Sequence, residues 1–395
     1  MREAADPRAR LPRTVWALGL VSLFMDASSE SIHGLLPLFL TVTLGASAAT
    51  VGLIDGVGEA VASVTKMLSG TLSDRIGRRK PLVLLGYGLA AVSKPLFPLA
   101  SSAVVVFLAR IADRFGKGLR GAPRDALVAD VTPPELRGRA FGLRQTLDTV
   151  GAIIGPLAAV ALMAAFADDM RLVFWVATIP AVIAALVVWL GVKDDAAPSS
   201  GAGDTGQRFR LAELRKLPRD FWRVIAIATV FTLARFSEAF LVLKANAVGL
   251  PMALAPLVLV AMSVVYAAGS YPAGAWADRA PPRRTLIAGL ACLIAADATL
   301  AAAASVAVAF AGIGLWGAHM ALSQGLMGKL VADHAPPELR GSCYGVFHLT
   351  TGLATLAASV SAGLLWDKIG SDATFLAGAI FAALALVMTW RARPS

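Results

Sequence analysis

The chain has 395 residues, of which 57% are hydrophobic and 16% charged, with a formal net charge of +10. A soluble domain is about half apolar and about a quarter charged, so this composition excludes an ordinary soluble enzyme or binding module. The positive excess gathers between alternate apolar segments, which is a signature of membrane topology and not of a nucleic-acid-binding face.

Taken in order, the stretch from Met1 to Arg13 is polar and charged, and the apolar run after it is long enough to be a span in its own right; no cleavable signal peptide is expected. Apolar windows of about 20 residues, enough to cross a hydrocarbon core of about 30 Å, then recur. They predict twelve helical spans at 14–42, 48–71, 81–100, 102–130, 139–166, 171–192, 220–248, 252–276, 284–304, 306–332, 341–366 and 370–391. The basic segments are the N-terminus, 74–80, 133–139, 193–219, 279–284, Arg340 and Arg391/Arg393. The turns at 45–50, 101–103, 249–251 and 304–307 carry no Lys or Arg. The positive-inside rule therefore puts both termini in the cytoplasm. Residues 193–219 form the linker: 196–206 is rich in Pro, Ser and Gly, and 208–219 is basic, with Phe209, Leu211, Leu214 and Leu217 spaced for a surface helix. Cys292 and Cys343 both fall inside apolar segments, so no disulfide framework is implied.

The chain is internally duplicated. Gly70-Thr-Leu-Ser-Asp74-Arg75-Ile-Gly77-Arg78-Arg79-Lys80 returns in degraded form as Gly274-Ala-Trp-Ala-Asp278-Arg279, followed by Ala280-Pro-Pro-Arg283-Arg284. Leu127-Val-Ala-Asp130 through Pro133-Pro-Glu-Leu-Arg137-Gly138 returns as Leu330-Val-Ala-Asp333 through Pro336-Pro-Glu-Leu-Arg340-Gly341, and Ser29-Glu30 corresponds to Ser237-Glu238. The boundaries that follow are a six-span half over 1–192, a cytoplasmic linker over 193–219 and a second six-span half over 220–395.

A charge inside hydrocarbon costs roughly 2.5–3.5 kcal/mol on insertion scales and needs a partner or a wet cavity. Span 1 carries Asp26 and Glu30 one turn apart, with His33 beyond; span 2 carries Asp55, Glu59 and Lys66. Span 4 carries Arg110, Asp113, Arg114, Lys117, Arg120, Arg124 and Asp125, and span 5 pairs Arg144 with Asp148. The second half is sparser: Arg235, Glu238 and Lys244 in span 7, then His319 and His348. Pairing to hold helices together explains some of these. Span 4 has more cations than its own acids neutralise, so it must face other acids or water.

The pattern G-x-L-x-D-R-x-G-R-R at 70–79 resembles the loop 2–3 signature of the major facilitator superfamily. That resemblance implies an all-α membrane protein of twelve transmembrane helices in two pseudo-symmetric six-helix halves, with spans 1, 4, 7 and 10 around a central cavity. In span 5, Gly142, Gly151, Gly155 and Pro156 resemble a motif of the superfamily's proton-coupled drug exporters, in which small residues let helices approach closely. Ala159 and Val160 stand where that motif has two further glycines, and the corresponding place in span 11 holds Ala358-Ser359. Arg114-Phe-Gly-Lys117-Gly118 is a weaker echo of the same exporters' span 4. The phrases around Asp26-Ala-Ser-Ser-Glu30 and Gly116-Lys-Gly-Leu-Arg120 resemble a bacterial subgroup whose resemblance carries over no substrate.

The expected function is secondary active transport by alternating access about a midplane site, not an enzymatic activity. No Walker-type phosphate loop occurs in the sequence, so a gradient must supply the energy. Asp26 and Glu30 are the expected proton-coupling acids, and Arg110, Arg114, Lys117 and Glu238 the expected substrate contacts, for export of a small organic solute, anionic or zwitterionic. A proton-driven importer of an organic anion, a metal transporter using His319, His348, Met320 and Met327, and a membrane-embedded transferase are the alternatives. Gating falls to Gly70, Asp74, Arg75, Gly77, Arg78, Asp125 and Asp278; the resemblance implies that Asp74, at the cytoplasmic end of span 2, comes near the start of span 11, with Arg78 bridging to Asp125. The partners implied are a small-molecule substrate, protons and lipid, with no nucleic acid, cofactor or resident metal. The expected location is the bacterial inner membrane, as a monomer.

Overall fold

A computed structural model describes residues 11–76, 78–192, 217–279, 281–323, 326–335 and 340–391. Among these every regular element is helical, and a helix falls at each of the twelve predicted spans. Several spans are uninterrupted: Ala48–Ile76, Ala103–Asp130, Arg137–Ala165, Met170–Gly191, Leu257–Arg279, Pro282–Ala301, Arg340–Lys368 and Ser371–Arg391. Span 5 runs straight through Pro156, and span 6 through Pro180.

Other spans are broken. Span 1 is helical over Arg13–His33, turns at Gly34-Leu35, and resumes at Leu36–Leu38 before widening into a π turn over Phe39–Thr43. Span 3 stops at Ser93, because Pro95 cannot donate the next helical hydrogen bond, and resumes at Leu96–Leu99. Span 7 is helical over Arg219–Leu233 and again over Ala239–Ala247, with 234–238 non-helical between them. Span 10 is helical throughout its described residues, Val306–Ser323 and Leu326–His334.

Nine helices among the described residues are long and apolar enough to cross a bilayer. The spans outside that set are 1, 4 and 7. Span 4 misses because its face is studded with ionisable side chains, and span 7 because its break divides the apolar run. These are three of the spans that the sequence resemblance assigns to the central cavity.

The hairpin turns share one device. Gly45, between spans 1 and 2, and Gly249, between spans 7 and 8, both have positive φ (65° and 103°), a conformation that costs glycine little. The two positions correspond in the duplicated halves.

Compact packing divides the chain into two units, 1–32 with 61–206, and 33–60 with 207–395. The boundary therefore cuts across the six-span halves: the hairpin His33–Ala60 packs with the second half. In the first unit, Val15, Leu18, Val21 and Met25 of span 1 form a core with Val83 and Tyr87 of span 3, Leu127 and Val128 of span 4, and Ala181, Ala184 and Val188 of span 6. In the second, Gly52 and Gly56 of span 2 lie against the backbone of Ser359 and Leu356 in span 11, where an added Cβ would sit 2.1 Å from the Ser359 carbonyl oxygen and 3.0 Å from the Leu356 Cα. Gly363 lies likewise against Ala48 and Ala49, and the Asp367 carboxylate accepts from the Ala48 and Ala49 amides at 3.0 and 2.9 Å. A carboxylate at a helix N-terminus is favoured by both the free amides and the dipole.

Three expectations fall outside what is described: the surface helix over 208–219, save its last three residues, the second Pro-Pro turn at 336–339, and Gly77. The same holds for the side chains of Asp74, Arg75 and Asp278.

Candidate functional site: buried charge in each unit

In the first unit, span 4 presents Arg110, Asp113, Arg114 and Arg120 to the protein interior, at 3%, 3%, 5% and 5% exposure. They are buried because Gly116 and Gly118 let neighbouring spans come close. A Cβ on Gly116 would meet the Gly86 carbonyl oxygen of span 3 at 2.6 Å, and one on Gly118 the Ala62 carbonyl oxygen of span 2 at 2.6 Å. Asp113 accepts from Lys94 Nζ at 2.9 Å, and that ammonium also donates to Ser29 Oγ at 3.0 Å. Lys94 is 1% exposed and sits at the Pro95 break of span 3. Arg110, Arg114 and Arg120 act on Asp113 as well, so one carboxylate anchors a cluster of cations. Arg120 stacks over the Tyr87 ring, 4.4 Å from its centroid. Lys94 was not among the expected residues; the signal for it was a lone lysine inside an apolar run, which must find a partner.

Asp26 and Glu30 lie on the half-buried face of span 1. Asp148 of span 5 acts on the Asp26 carboxyl, as do Lys117 and Glu30. The close approach that brings these side chains together comes from Gly151 and Gly155. Added Cβ atoms there would stand 2.4 Å from the carbonyl oxygens of Leu23 and Ala27 in span 1, and the Gly155 carbonyl accepts from Ser31 Oγ at 2.8 Å. Gly142 differs: it is exposed and a Cβ there meets nothing within 4 Å, because it faces away from the core that Ala140 beside it joins. It is not a packing glycine. Lys117 is exposed, whereas Arg110 and Arg114 are buried.

At the basic end of these spans the contacts differ from expectation. Arg79, not Arg78, makes the bridge: its Nε lies 2.5 Å from Asp130, and its Nη1 donates to Ser73 Oγ at 2.9 Å. Arg78 is exposed. Asp125 is already engaged by Arg124 at 3.2 Å and Arg144 at 3.8 Å, and Arg144 also approaches Asp148 at 3.8 Å. Gly70 packs on Ala122 of span 4, with a Cβ separation of 3.5 Å.

In the second unit the break in span 7 is the organising feature. Ser237 Oγ donates to Asp55 Oδ2 at 2.7 Å and accepts from the Ala239 amide at 3.1 Å, while the Ser237 amide donates to Ser359 Oγ at 3.2 Å. His33 Nε2 lies 3.8 Å from Asp55. Within the break, Glu238 and the Tyr266 hydroxyl of span 8 act on Arg235, whose guanidinium lies over Phe231 at 5.8 Å. His319 of span 10 is fully buried beside Phe231 and Trp316, and its Nδ1 is 2.8 Å from the Gly289 carbonyl oxygen. Phe236, Phe240, Trp316, Trp366 and Phe375 pack edge-on or tilted around the break. Asp297 of span 9, 0% exposed, was not anticipated.

Two helical repeats, interrupted spans and charge buried along several helices define a multi-pass membrane transporter and not an enzyme. The chain belongs to the Major Facilitator Superfamily, whose profile matches residues 18–246 and 236–395. It is 30% identical over 385 residues to an "Uncharacterized MFS-type transporter" of Methanocaldococcus jannaschii, covering 94% of this chain and 93% of the relative. It is 28% identical over 391 residues to a "Probable 4-methylmuconolactone transporter" of Cupriavidus pinatubonensis, covering 93% and 86%. Among solved structures, the nucleoside transporter NupG superposes with a TM-score of 0.77 at 13% identity, covering 95% and 98%; that likeness speaks to the fold.

Proposed function

We propose that this transporter couples proton movement to export of a small organic solute, with an anion as the favoured class. The observation that carries the reading is the close approach of spans 1 and 5 at Gly151 and Gly155, which lets Asp148, Lys117 and Glu30 act on Asp26. A shared proton between two carboxyls is readily exchanged for a second charge, and a nearby ammonium competes for the same acids. Asp26 and Glu30 are then the coupling acids, with Asp148 as the partner that holds the proton. The cation excess of Arg110, Arg114 and Lys117 supports an anionic substrate, and Glu238, which acts on Arg235, is a further proposed substrate contact. The relative named for 4-methylmuconolactone supports a small organic molecule as cargo. Gating by Gly70, Asp74, Arg75, Gly77, Arg78, Asp125 and Asp278 remains part of this reading, with Arg79–Asp130 as an added contact. The protein works as a monomer in the inner membrane of a bacterium, both termini cytoplasmic.

The test is flux in sealed vesicles of known orientation under an imposed proton gradient, screening organic anions, cations and neutral solutes. Proton-driven outward flux of an anion that Arg114→Ala weakens at least tenfold supports the reading. A lipophilic cation carried equally well by Arg114→Ala and Lys117→Ala overturns the anion assignment, and inward flux makes the protein an importer.

A further inference from the structure

The second unit contains a carboxyl group for which the transport reading above has no use. Asp297 lies about one turn from the C-terminal end of the span 9 helix, Pro282–Ala301, fully buried, and among the described residues neither carboxylate oxygen has a hydrogen-bond partner. It is covered on one side by Gly378 of span 12, where a Cβ would stand 2.7 Å from Oδ2, and beside it by Phe236 of the span 7 break, 3.0 Å from that same Cβ position. Only glycine at 378 leaves room for the carboxyl. The described titratable groups on the elements packed around it are Arg235, Glu238 and Lys244 of span 7, Tyr266, Tyr271 and Arg279 of span 8, His319 and His334 of span 10, and Asp372 and Arg391 near the ends of span 12. None of them hydrogen-bonds the Asp297 carboxyl.

An isolated carboxylate in such surroundings bears the full cost of desolvating a charge with nothing to offset it. A neutral carboxylic acid leaves only an unmade hydrogen bond, a far smaller cost. We infer that Asp297 is a proton-binding site in the second half, holding its proton while Phe236 and Gly378 cover it and releasing it when the span 7 break moves away and admits water. The ligand is a single proton, bound at a carboxylate oxygen. The sign follows from linkage: the covered state binds one more proton than the uncovered state, so it weakens as pH rises. This extends the proton coupling proposed above to a second site, and its first readout is independent of transport.

The experiment is infrared spectroscopy of the purified full chain in deuterated buffer at neutral pH, wild type against Asp297→Asn and Asp26→Asn. The expected result is a protonated-carboxyl carbonyl band that disappears in Asp297→Asn and persists in Asp26→Asn. Gly378→Ala presses a methyl group on Oδ2 and should shift that band without removing it, which keeps the assignment testable if Asp297→Asn does not fold. Hydrogen exchange over 234–241, corrected for intrinsic rates, should then rise by up to tenfold per pH unit in wild type once the acid titrates, and lose that dependence in Asp297→Asn. A spectrum in which no protonated-acid band belongs to Asp297 overturns the proposal. So does exchange over 234–241 with the same pH dependence in both proteins. Loss of proton-driven flux in Asp26→Asn with both Asp297 readouts intact separates the two sites.

Discussion

The two halves solve the same packing problem differently where span 1 meets span 5 and where span 7 meets span 11. In the first half, Gly155 lets a continuous span 1 lie directly on span 5, and its carbonyl accepts from Ser31. The corresponding place in the second half is Ala358-Ser359, and the Ser359 hydroxyl accepts from the amide of Ser237, an amide left over because span 7 is unwound there. One half therefore has close helix contact and a glycine. The other has a break and a side chain that satisfies it. The surrounding chemistry differs in emphasis, with a cluster of cations around Asp113 in the first unit, and aromatic rings and an isolated carboxyl in the second, alongside the Lys244–Asp372 ion pair. Duplication preserved the helices and their turns, while the interior polar groups diverged.

That comparison breaks most visibly at Lys94 and Asp113. Removing one partner of a buried ion pair leaves an uncompensated charge, a loss of about 3–5 kcal/mol. Thermal unfolding in detergent should show Lys94→Leu or Asp113→Leu losing that much singly, with the double variant recovering only part of it, because Arg110, Arg114 and Arg120 still lack Asp113. Additive losses would mean that the pair is not the unit of stability. Asp297→Leu, by contrast, should cost less than either, because no cation depends on it.

Next comes the contact between spans. Gly155→Ala sets a methyl 2.4 Å from a backbone oxygen that cannot swing away, so it should lose about 1–3 kcal/mol. Gly142→Ala should instead be neutral or gain up to about 1 kcal/mol from helix propensity. Equal losses at both positions would restore the motif as a uniform packing stripe. Ser359→Ala orphans the Ser237 amide and should cost about 1–3 kcal/mol, read as faster hydrogen exchange over 234–241; unchanged exchange would show that water serves that amide equally well. The smallest effect belongs to Asp367→Ala, which removes a cap from the first turn of span 2 and should lose about 0.5–2 kcal/mol.

Much of this architecture could be read before the coordinates. Hydrophobic windows located the spans, and Ala103–Asp130 lies within a residue of its expected limits, because apolar length and turn residues act locally. The charge on span 4 marked an interior cluster for the same reason. Pairings were less legible. Asp148 was expected to pair with Arg144 alone, yet it also acts on Asp26, since partner choice depends on which helices cross. The break in span 7 contains neither Gly nor Pro; its only local sign was three polar residues, Arg235, Ser237 and Glu238, in an apolar run, with Ser237 suited to capping. Lys94 and Asp297 each stood alone in an apolar segment, and the cost of burying a charge there was the available clue. The basic loop showed a cluster of arginines but not which one would reach span 4.

The central claim is that Asp26 carries the coupled proton. Reconstitute wild type and Asp26→Asn, verify equal folding by chromatography and melting, and compare gradient-driven flux with substrate exchange at zero gradient. The account predicts that Asp26→Asn abolishes proton-driven accumulation while exchange continues at near the wild-type rate. Accumulation by Asp26→Asn equal to wild type under the same gradient would contradict it.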